Sequence, residues 1–308
     1  MNVSVIIPTF KPNQERLRKT LDALRIQTLP KVEWELIVVD NNTPDQKWVS
    51  SFDYAWQPNT EIVREARQGL TWARLAGIAA SQGEYLVLVD DDNVLCPSYL
   101  ESVAKILDSR PKLGAIGGKS VPEFESKPQP WIKEFQSYLA LRDLGDEVQI
   151  AGWKQPPQYP LCAPIGAGMA LRRTAACAYA DLISKRKERV LDRTGKKLTS
   201  GGDNDIVLSS LQLGWEVGYF PELQLTHLIP ASRFEKEYLA RLAHGISCSW
   251  PQVLILHGIQ PWQSIPAWSV VPRKMRAYFR YRAWQSEAAY VRWMGACGHF
   301  EGIAKLAN

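Results

Sequence analysis

Three consecutive carboxylates, Asp90, Asp91 and Asp92, are the residues of this chain best suited to chemistry. They close and follow the apolar run EYLVLVD, so they leave a predicted buried strand together. Adjacent carboxylates repel each other unless a cation or hydrogen-bond donors compensate their charge. A hard divalent cation takes one or two carboxylates and fills its other positions with substrate phosphates. A turn or a helix cap is the structural alternative for the triplet taken alone.

A second acidic group lies at Asp203, in the sequence SGGDNDIVLSSLQLG. Glycines that lead into an amphipathic helix place Asp203 at the helix N-terminus, where the helix dipole favours the ionised carboxylate. An ionised carboxylate at that position can accept a proton from an attacking hydroxyl group. Capping of the helix by Asp203 or Asn204 is the simpler explanation when the motif is taken by itself.

Two further polar residues also end predicted strands. Asp40 closes the apolar run WELIVVD, and His227 closes LQLTH. Ligands of open α/β sheets bind beyond the carboxyl ends of the strands, so Asp40 is placed to accept a hydrogen bond from a ribose or a base. A neutral His227 imidazole could complete a metal site with Asp92, and a satisfied structural histidine is the alternative.

Strands and helices alternate over the first 120 residues. Short β-branched or apolar runs predict strands, and apolar residues at helical spacing predict helices between them. Alternation at this spacing predicts an α/β fold with a mostly parallel, Rossmann-like sheet and helices on both faces. The predicted strands cover 3–9, 34–40, 60–64, 84–90 and 113–121, and the helices cover 13–27, 70–81 and the residues after Pro97.

The rest of the chain is less regular. Residues 122–164 contain seven prolines and two tryptophans, a composition that predicts a binding lid or an insertion. The stretch 185–198 carries seven basic residues and predicts a solvated mobile loop, with closure over a diphosphate as the alternative. Strands are expected at 165–173 and in WEVGYF and LQLTHLI, followed by a helix at 233–246.

These elements suggest a division into domains. We predict a catalytic domain over 1–250, with a nucleotide-binding half at 1–121 and an acceptor-binding half at 122–250. A basic and aromatic helical extension is predicted over 251–308. The segment 122–164 is expected to help to choose the acceptor.

Composition excludes several classes of function. The chain of 308 residues has a net charge of +5, but the first 269 residues balance at 30 basic and 30 acidic residues. A neutral body gives no electrostatic reason to expect a nucleic-acid partner. No stretch approaches the roughly 18 apolar residues of a membrane span, and the N-terminus lacks the pattern of a secretory signal. Five scattered cysteines predict free thiols in a reducing compartment, so we expect a cytoplasmic protein.

The charge excess belongs to the tail after residue 269, which has seven basic and two acidic residues. Taken as one helix, its basic side chains Arg276 and Arg280 lie opposite an apolar side. This pattern predicts either an interfacial helix on anionic lipid or a helix packed on the catalytic domain or another subunit. The apolar side comprises Met275, Tyr278, Phe279, Tyr290 and Trp293.

Together, these motifs resemble glycosyltransferase family 2, inverting enzymes with the GT-A fold, of the bacterial surface-polysaccharide type. The resemblance runs from Val3 to about Gly245. SVIIPTF resembles the opening strand of the family, and VVDNNT resembles its VVDDGS. REARQGLTWARLAGIAASQGEYLVLVDDDN resembles its Arg, Gly and Ala-Arg-Asn pattern before GEYI-x-FLDxDD. GAGMALRR resembles the strand that faces the donor sugar and the acceptor. GGDNDIVLSSLQLGWEV resembles GGEDxDLxxRLxxxGW.

The resemblance implies a role for each candidate residue. Asp203 takes the place of the general base, while Asp92 and His227 take the places of metal ligands, for Mn²⁺ or Mg²⁺. Asp90 corresponds to the ribose-binding residue, and Asp40 to the contact with the nucleotide base. The remaining donor-site residues are Pro8 and Thr9 in the first strand, Arg67 and Gly69 beside the nucleotide, Asp91 in the triplet, and Arg233 near the diphosphate.

The implied reaction moves a sugar from a nucleoside diphosphate sugar, with UDP or dTDP as the expected nucleotide, to a hydroxyl of a glycan or a lipid-linked acceptor. A single displacement inverts the anomeric centre through an oxocarbenium-like transition state. We expect this reaction to serve the synthesis of surface polysaccharide or glycoconjugate. If the tail contacts lipid, the reaction would take place at the inner face of the cytoplasmic membrane.

The sequence departs from the family pattern at three positions. Gly202 replaces the Glu that precedes the base, Ser210 replaces an Arg in the following helix, and Asn41 replaces a second Asp after Asp40. The loss of the Glu leaves a non-catalytic protein that binds nucleotide sugars or carbohydrates as the alternative function. A nucleotidyltransferase fits less well, because PTFKPNQER stands where such enzymes carry a glycine-rich basic loop.

Overall fold

The computed structural model describes residues 1–186 and 200–307, so the predicted loop at 185–198 lies almost wholly outside the described residues. The described strands are β1 (Val3–Thr9), β2 (Trp34–Asp40), β3 (Thr60–Arg64), β4 (Tyr85–Leu88), β5 (Asn93–Leu95), β6 (Leu113–Phe124), β7 (Gln149–Ala151), β8 (Ala170–Arg172) and β9 (Glu216–Ile229). The α-helices are α1 (Gln14–Arg25), α2 (Leu70–Ala80), α3 (Tyr99–Ser109), α4 (Arg173–Lys185), α5 (Gly202–Gln212), α6 (Lys236–Leu256), α7 (Val270–Tyr281) and α8 (Glu287–Ala304).

All nine strands join one sheet in the order β3-β2-β1-β4-β8-β6-β9-β5, with β7 also paired to β9. The first four strands in this order are parallel, as the βαβ alternation predicts. In the other half, β6 and β9 are parallel, while β8, β5 and β7 pair in the antiparallel direction. The prediction of a mostly parallel α/β sheet is therefore confirmed, with an antiparallel contribution confined to one half.

Helices cover both faces of the sheet because successive side chains of each buried strand point to opposite faces. Val5 and Ile7 of β1 face α1 and α3 in one apolar core. Ile6 of the same strand faces the second core, where α2, α4 and α5 pack. The strands β1 and β2 are buried along their whole length, which explains their uninterrupted apolar sequences.

Several elements differ from their sequence prediction. The expected strand at 165–173 is only three residues long, because Gly168 adopts a positive φ of 73° before β8 begins. The two strand signals after residue 214 form one continuous strand, β9. The helix expected at 233–246 is α6, which continues to Leu256 and so crosses the domain boundary drawn at 250. Residues Pro130–Leu139 of the proline-rich segment form a 3-10 helix.

The C-terminal segment packs on the preceding part of the fold through contacts between α8 and α6. A Cβ atom on Gly298 would lie 2.1 Å from the carbonyl oxygen of His244 in α6, and one on Gly302 would lie 2.5 Å from that of Cys248. Small residues thus permit the two helix backbones to approach closely. Together with the 3-10 helix, α6 and α8 enclose a third apolar core.

The tail is two helices and not one, so the apolar side predicted for a single helix is wrong. Tyr278 of α7 contacts Trp293 of α8 with a ring-centroid distance of 5.1 Å, and Tyr290 contacts the same ring at 5.4 Å. These three aromatic residues belong to the packing between or beside the helices. Met275 and Phe279 instead face solvent.

Among residues 1–186 and 200–307, no helix combines the length and the apolar composition needed to cross a bilayer.

A buried carboxylate holds the amino-terminal ends of the central strands together. Glu35 of β2 lies opposite Ser4 of β1 in the parallel register. Its Oε1 atom accepts hydrogen bonds from the Ser4 hydroxyl at 2.5 Å, from the Gln82 amide at 2.5 Å and from the Gly83 amide at 3.2 Å. The two amides belong to the turn before β4, so one side chain links β1, β2 and β4.

We expect Glu35→Ala to lower the free energy of unfolding by about 3 kcal/mol, because it leaves buried donors without their charged acceptor. Glu33→Ala is the matched control, since Glu33 makes its side-chain hydrogen bond to Asn2 at an exposed position. The control should change stability by no more than about 0.5 kcal/mol. Urea unfolding followed by circular dichroism measures both values, and equal losses would contradict a structural role for Glu35.

Candidate active site

The pairing of β5 with β9 brings the acidic triplet to His227. Asn93 lies opposite His227 in the antiparallel register, and the Leu228 amide donates to the Asp92 carbonyl at 2.9 Å. As a result, Nε2 of His227 lies 3.4 Å from Oδ1 of Asp92, and both side chains are buried. The sequence suggested this pair as metal ligands, and the structure brings the two residues into contact.

Asp91 is held against the first strand of the sheet. The hydroxyl of Thr9, the last residue of β1, donates a short hydrogen bond to the Asp91 carboxylate. Burial and then the neighbouring charge of Asp92 raise the pKa of Asp91 to about 7, while the Thr9 hydrogen bond opposes that rise. Pro8 precedes Thr9 in the buried strand. The triplet is therefore a place where negative charge is crowded and only partly compensated.

Arg233 supplies positive charge to this group. Its Nη1 atom lies 3.0 Å from Oδ2 of Asp92 and 3.2 Å from Nε2 of His227. Burial lowers the pKa of the Arg233 guanidinium, but the carboxylates of Asp92, Asp91 and Asp90 outweigh it and raise the pKa. The guanidinium thus contacts both side chains that the sequence suggested as metal ligands.

Asp40 and Asn41 organise the next part of the edge, at the end of β2. Oδ1 of Asp40 accepts from the Thr43 amide at 3.0 Å, and Oδ2 accepts from Nη1 of Arg64 at 3.1 Å. The Asn41 side chain donates to the Arg67 carbonyl at 2.8 Å and accepts from the Gly69 amide at 2.7 Å. Asn41 thereby fixes the loop between β3 and α2.

The loop carries the two residues expected beside the nucleotide. Arg67 forms a bidentate ion pair with Glu65 at 2.7 and 2.8 Å, and its guanidinium lies 3.9 Å from the ring centroid of Trp72. Gly69 is the N-cap of α2 and has a φ of 142°, a backbone conformation that residues other than glycine rarely adopt. Both residues lie at the same sheet edge as Asp40.

Asp203 lies in the first turn of α5 and is half-buried. Its Oδ1 atom accepts from the Asn204 amide at 3.0 Å, and its Oδ2 atom accepts from the Gly166 amide at 3.1 Å. The second bond ties Asp203 to the glycine-rich segment before β8. Gly201 is the N-cap of α5, so Asp203 is an oriented acceptor in the first turn and not the cap that was the simpler explanation from the sequence.

Arg74 is a site residue that sequence reasoning missed. Its side chain is buried, and Nη2 lies 3.9 Å from Oδ1 of Asp90. A Cβ atom on Gly166 would lie 2.7 Å from the same nitrogen and 3.3 Å from the Asp203 carboxylate. Arg74 consequently stands between the triplet and Asp203. The signal in the sequence was the Ala-Arg pair of the family pattern, to which spacing alone gave no role.

Part of the proline-rich segment contacts α5. The Tyr159 hydroxyl donates to Oδ1 of Asn204 at 2.6 Å, next to Asp203. The Tyr159 ring meets the Trp250 ring edge-on at a centroid distance of 5.0 Å. One aromatic side chain of the segment 122–164, Tyr159, therefore lies beside Asn204 and the candidate base Asp203.

The donor set for a metal is small in the described part of the chain. Within residues 1–186 and 200–307 there is no group of three or more His, Cys, Asp or Glu side chains arranged to hold a metal ion. Asp92 and His227 provide one carboxylate and one imidazole in contact. These are ligand types that suit Mn²⁺, with open positions left for phosphate oxygens.

This geometry agrees with the result of a family comparison. The profile of Glycosyl transferase family 2 matches residues 4–168, more than half of the chain. The chain belongs to glycosyl transferase family 2. The matched region contains the triplet, Asp40, Arg74 and Gly166, and it ends before Asp203. The family membership predicted from the sequence is confirmed.

Curated relatives match over short regions. Glycosyltransferase AglE of Haloferax volcanii is 36% identical over 92 residues, 29% of this chain and 30% of that protein. Glucosyl-dolichyl phosphate glucuronosyltransferase of the same organism is 26% identical over 138 residues, 44% of each chain. Poly(ribitol-phosphate) beta-N-acetylglucosaminyltransferase TarS of Staphylococcus aureus is 26% identical over 131 residues, 40% of this chain and 23% of that protein. The family 2 chain thus matches less than half the length of these relatives.

Solved structures share the whole architecture. A crystal structure of residues 1–349 of S. aureus TarS in complex with UDP-GlcNAc has a TM-score of 0.55 at 14% identity. The likeness covers 100% of this chain and 91% of that one. At this level of identity the comparison establishes the fold alone, and it confirms the predicted GT-A fold with a helical C-terminal region.

The contacts of Asn41 generate a prediction about the departure from the family's usual Asp. We expect Asn41→Asp to lower the free energy of unfolding by about 2 kcal/mol, because a carboxylate oxygen would replace the amide that donates to the Arg67 carbonyl. Chemical denaturation measures this loss.

Asn42→Asp is the matched control. Asn42 is the next residue, has a φ of 62° and already accepts from Nη2 of Arg64 at 3.2 Å. An aspartate tolerates this conformation and would gain an ion pair, so we expect a change within about 0.5 kcal/mol. An Asn41→Asp variant as stable as the control would show that the amide does not hold the loop.

Proposed function

We propose that this family 2 chain transfers a sugar from a nucleoside diphosphate sugar to a hydroxyl group of a glycan or a lipid-linked acceptor, with inversion of the anomeric carbon. The observation that carries the proposal is the position of Arg74 between the acidic triplet and Asp203. This position supports a donor site at the triplet and a base at Asp203, with the Arg74 side chain between them.

Asp203 is the proposed general base. Backbone amides of Gly166 and Asn204 donate to its two oxygens and fix the direction of the carboxylate. An acceptor hydroxyl bound beside Tyr159 would give its proton to Asp203 as its oxygen attacks the anomeric carbon. The bond to the nucleoside diphosphate breaks on the opposite face of the sugar, so one displacement inverts the centre.

The donor is held by the edge residues described above. In the proposal, Asp40 contacts the base, Asp90 the ribose, and Pro8, Thr9, Arg67, Gly69 and Asp91 complete the donor site. The Arg233 guanidinium would move from Asp92 to the diphosphate and stabilise its departing negative charge. A bound Mn²⁺ or Mg²⁺ would supply Lewis-acid stabilisation of the same diphosphate, held by Asp92 and His227.

The donor class rests on relatives and the sequence. Crystal structures of TarS contain UDP and UDP-GlcNAc, which supports a UDP-sugar as the first donor to test, with a dTDP-sugar as the second. The activities for which these relatives are named, on poly(ribitol-phosphate) and on a glucosyl-dolichyl phosphate, support surface-glycan synthesis. Five free cysteines support a reducing compartment. We therefore propose work in the cytoplasm, at the inner face of its membrane.

A panel of nucleotide sugars tests the proposal. We expect one UDP- or dTDP-sugar, with Mn²⁺ or Mg²⁺, to raise the melting temperature selectively, since a ligand of the folded state stabilises it in proportion to its affinity. Release of the free nucleoside diphosphate from that donor should be measurable with the wild-type chain. Asp203→Asn should lower its rate by about 10²- to 10⁴-fold, the usual contribution of a general base.

Asp181→Asn is the matched control, because Asp181 is an exposed carboxylate on α4. The control should keep the wild-type rate, and Asp203→Asn should keep donor binding in the thermal assay. A wild-type chain that binds a donor but releases no nucleotide would favour the non-catalytic alternative. Near-wild-type turnover of Asp203→Asn would refute the base assignment.

The contact of Arg233 with the proposed metal ligands gives a separate prediction. In the absence of donor, the guanidinium and a divalent cation compete for Asp92 and His227. We expect Arg233→Gln to tighten Mn²⁺ binding about tenfold, the equivalent of ~1.4 kcal/mol, and Asp92→Asn to abolish it. Electron paramagnetic resonance of free Mn²⁺ measures the affinity without any activity assay.

Arg64→Gln is the control for the loss of a positive charge at this sheet edge. Arg64 pairs with Asp40 and not with Asp92, so its removal should leave Mn²⁺ affinity unchanged. Equal affinities of the wild-type chain and Arg233→Gln would show that Arg233 does not occupy the cation site. Mn²⁺ binding that survives Asp92→Asn would move the site elsewhere.

A further inference from the structure

Helix α7 presents an apolar surface to solvent, which we call the apolar ridge. It consists of a row of large side chains at helical spacing and of the residues just before and after the helix. Their exposed fractions range from 55% for Trp284 to 78% for Trp268. Monomeric proteins rarely expose contiguous large apolar side chains without an interaction partner. The ridge comprises Trp268, Val271, Met275, Phe279 and Trp284.

The helix cannot hide this ridge by rotation, because its opposite face is already fixed. Ala277 is buried, and Tyr278 contacts Trp293 of α8. The Lys274 ammonium forms a short ion pair with Glu301, and the Trp293 indole donates to the Lys274 carbonyl at 3.0 Å. These contacts to α8 set the orientation of α7, so the ridge faces outward as part of the fold.

A basic stripe runs along the ridge. The segment 270–282 contains five basic residues and no acidic residue. At 100° per residue, Arg273, Arg276 and Arg280 lie between the ridge and the packed face. Among the described residues, neither Arg276 nor Arg280 forms an ion pair with a carboxylate, and both are exposed. The positive charge of the stripe therefore remains uncompensated within the described fold.

We propose that α7 docks on an anionic lipid surface, with the apolar ridge in the boundary between headgroups and acyl chains and the basic stripe on the headgroup phosphates. Trp268 and Trp284, at the two ends of the ridge, suit the boundary between headgroups and acyl chains, because tryptophan has an apolar body and a polar N–H group. The stripe adds electrostatic attraction to anionic lipid. This inference does not depend on the proposed transfer reaction.

Charge argues against a second copy of the chain as the occupant. A symmetric contact would place the same patch on both subunits and so bring two basic stripes together. Like charges at a desolvated contact are repulsive unless anions separate them. An anionic lipid surface satisfies the apolar ridge and the basic stripe at once.

Vesicle co-sedimentation of the full chain tests the proposal. We expect binding to vesicles of 30 mol% phosphatidylglycerol in phosphatidylcholine, and little binding to pure phosphatidylcholine. The double variant Arg276→Gln/Arg280→Gln should weaken binding to anionic vesicles about 30-fold, since each basic residue near such a surface contributes about a factor of five. Met275→Glu/Phe279→Glu should weaken it at least as much, because the ridge would carry charge into the acyl boundary.

Val32→Glu is the matched control. Val32 is 74% exposed, like the ridge residues, but it belongs to the short 3-10 helix Lys31–Glu33 and not to the ridge. This variant should bind vesicles like the wild-type chain, and all variants should keep the wild-type melting temperature because no buried contact changes. Binding that is equal for all variants, or absent from the wild-type chain, would overturn the proposal. The proposal would also be overturned if sedimentation velocity showed a concentration-dependent dimer of the wild-type chain that only Met275→Glu/Phe279→Glu abolishes.

Discussion

The repulsion among the carboxylates at one sheet edge is the constraint around which the rest of the site is arranged. The pKa of Asp91 is raised first by burial and then by the neighbouring charge of Asp92. Each neighbouring element contributes one compensation. The first strand gives the Thr9 hydroxyl, the residues after β9 give Arg233, and α2 gives Arg74. Such a group gains stability from any further cation or donor, which is the physical basis for a ligand at this edge.

The sequence was sufficient to predict the first half of the fold. Apolar runs that end in Asp40 and Asp90 identify buried parallel strands, because a half-exposed strand would alternate polar and apolar residues. The position of both carboxylates at one edge then follows from the parallel pairing of β2, β1 and β4. The positions of Asp92 and His227 after predicted strands suggested them as partners, and the family resemblance implied the same pair. The contact itself depends on the antiparallel register of β5 and β9, which no local pattern encodes.

Other features need the tertiary structure because one residue acts through another element. Asn41 stands where the family usually has an Asp. An amide is suited to this position because it donates to the carbonyl oxygens of Glu65 and Arg67, which lie 24 and 26 residues later in the chain. Arg74 looks like any helical arginine until the fold brings Gly166 beside it. The tail was predicted as a single helix because its aromatic residues repeat at helical spacing. The left-handed conformation of Arg282, with a φ of 50°, ends α7 and redirects the chain.

The two charged regions of the chain pose opposite physical problems. At the sheet edge, negative charge is buried and the fold itself supplies most of the compensation. On α7, positive charge is exposed, and among the described residues no carboxylate pairs with Arg276 or Arg280. The contacts of α7 with α8 fix the orientation in which this charge faces solvent. An exposed arginine costs little free energy in water. Beside an apolar ridge, however, the basic residues favour a binding partner that carries negative charge. The proposed transfer to a lipid-linked acceptor would need both a soluble and a membrane-bound substrate. Because α8 packs on both α7 and α6, docking of α7 as proposed would also fix the orientation of α6 relative to the lipid surface.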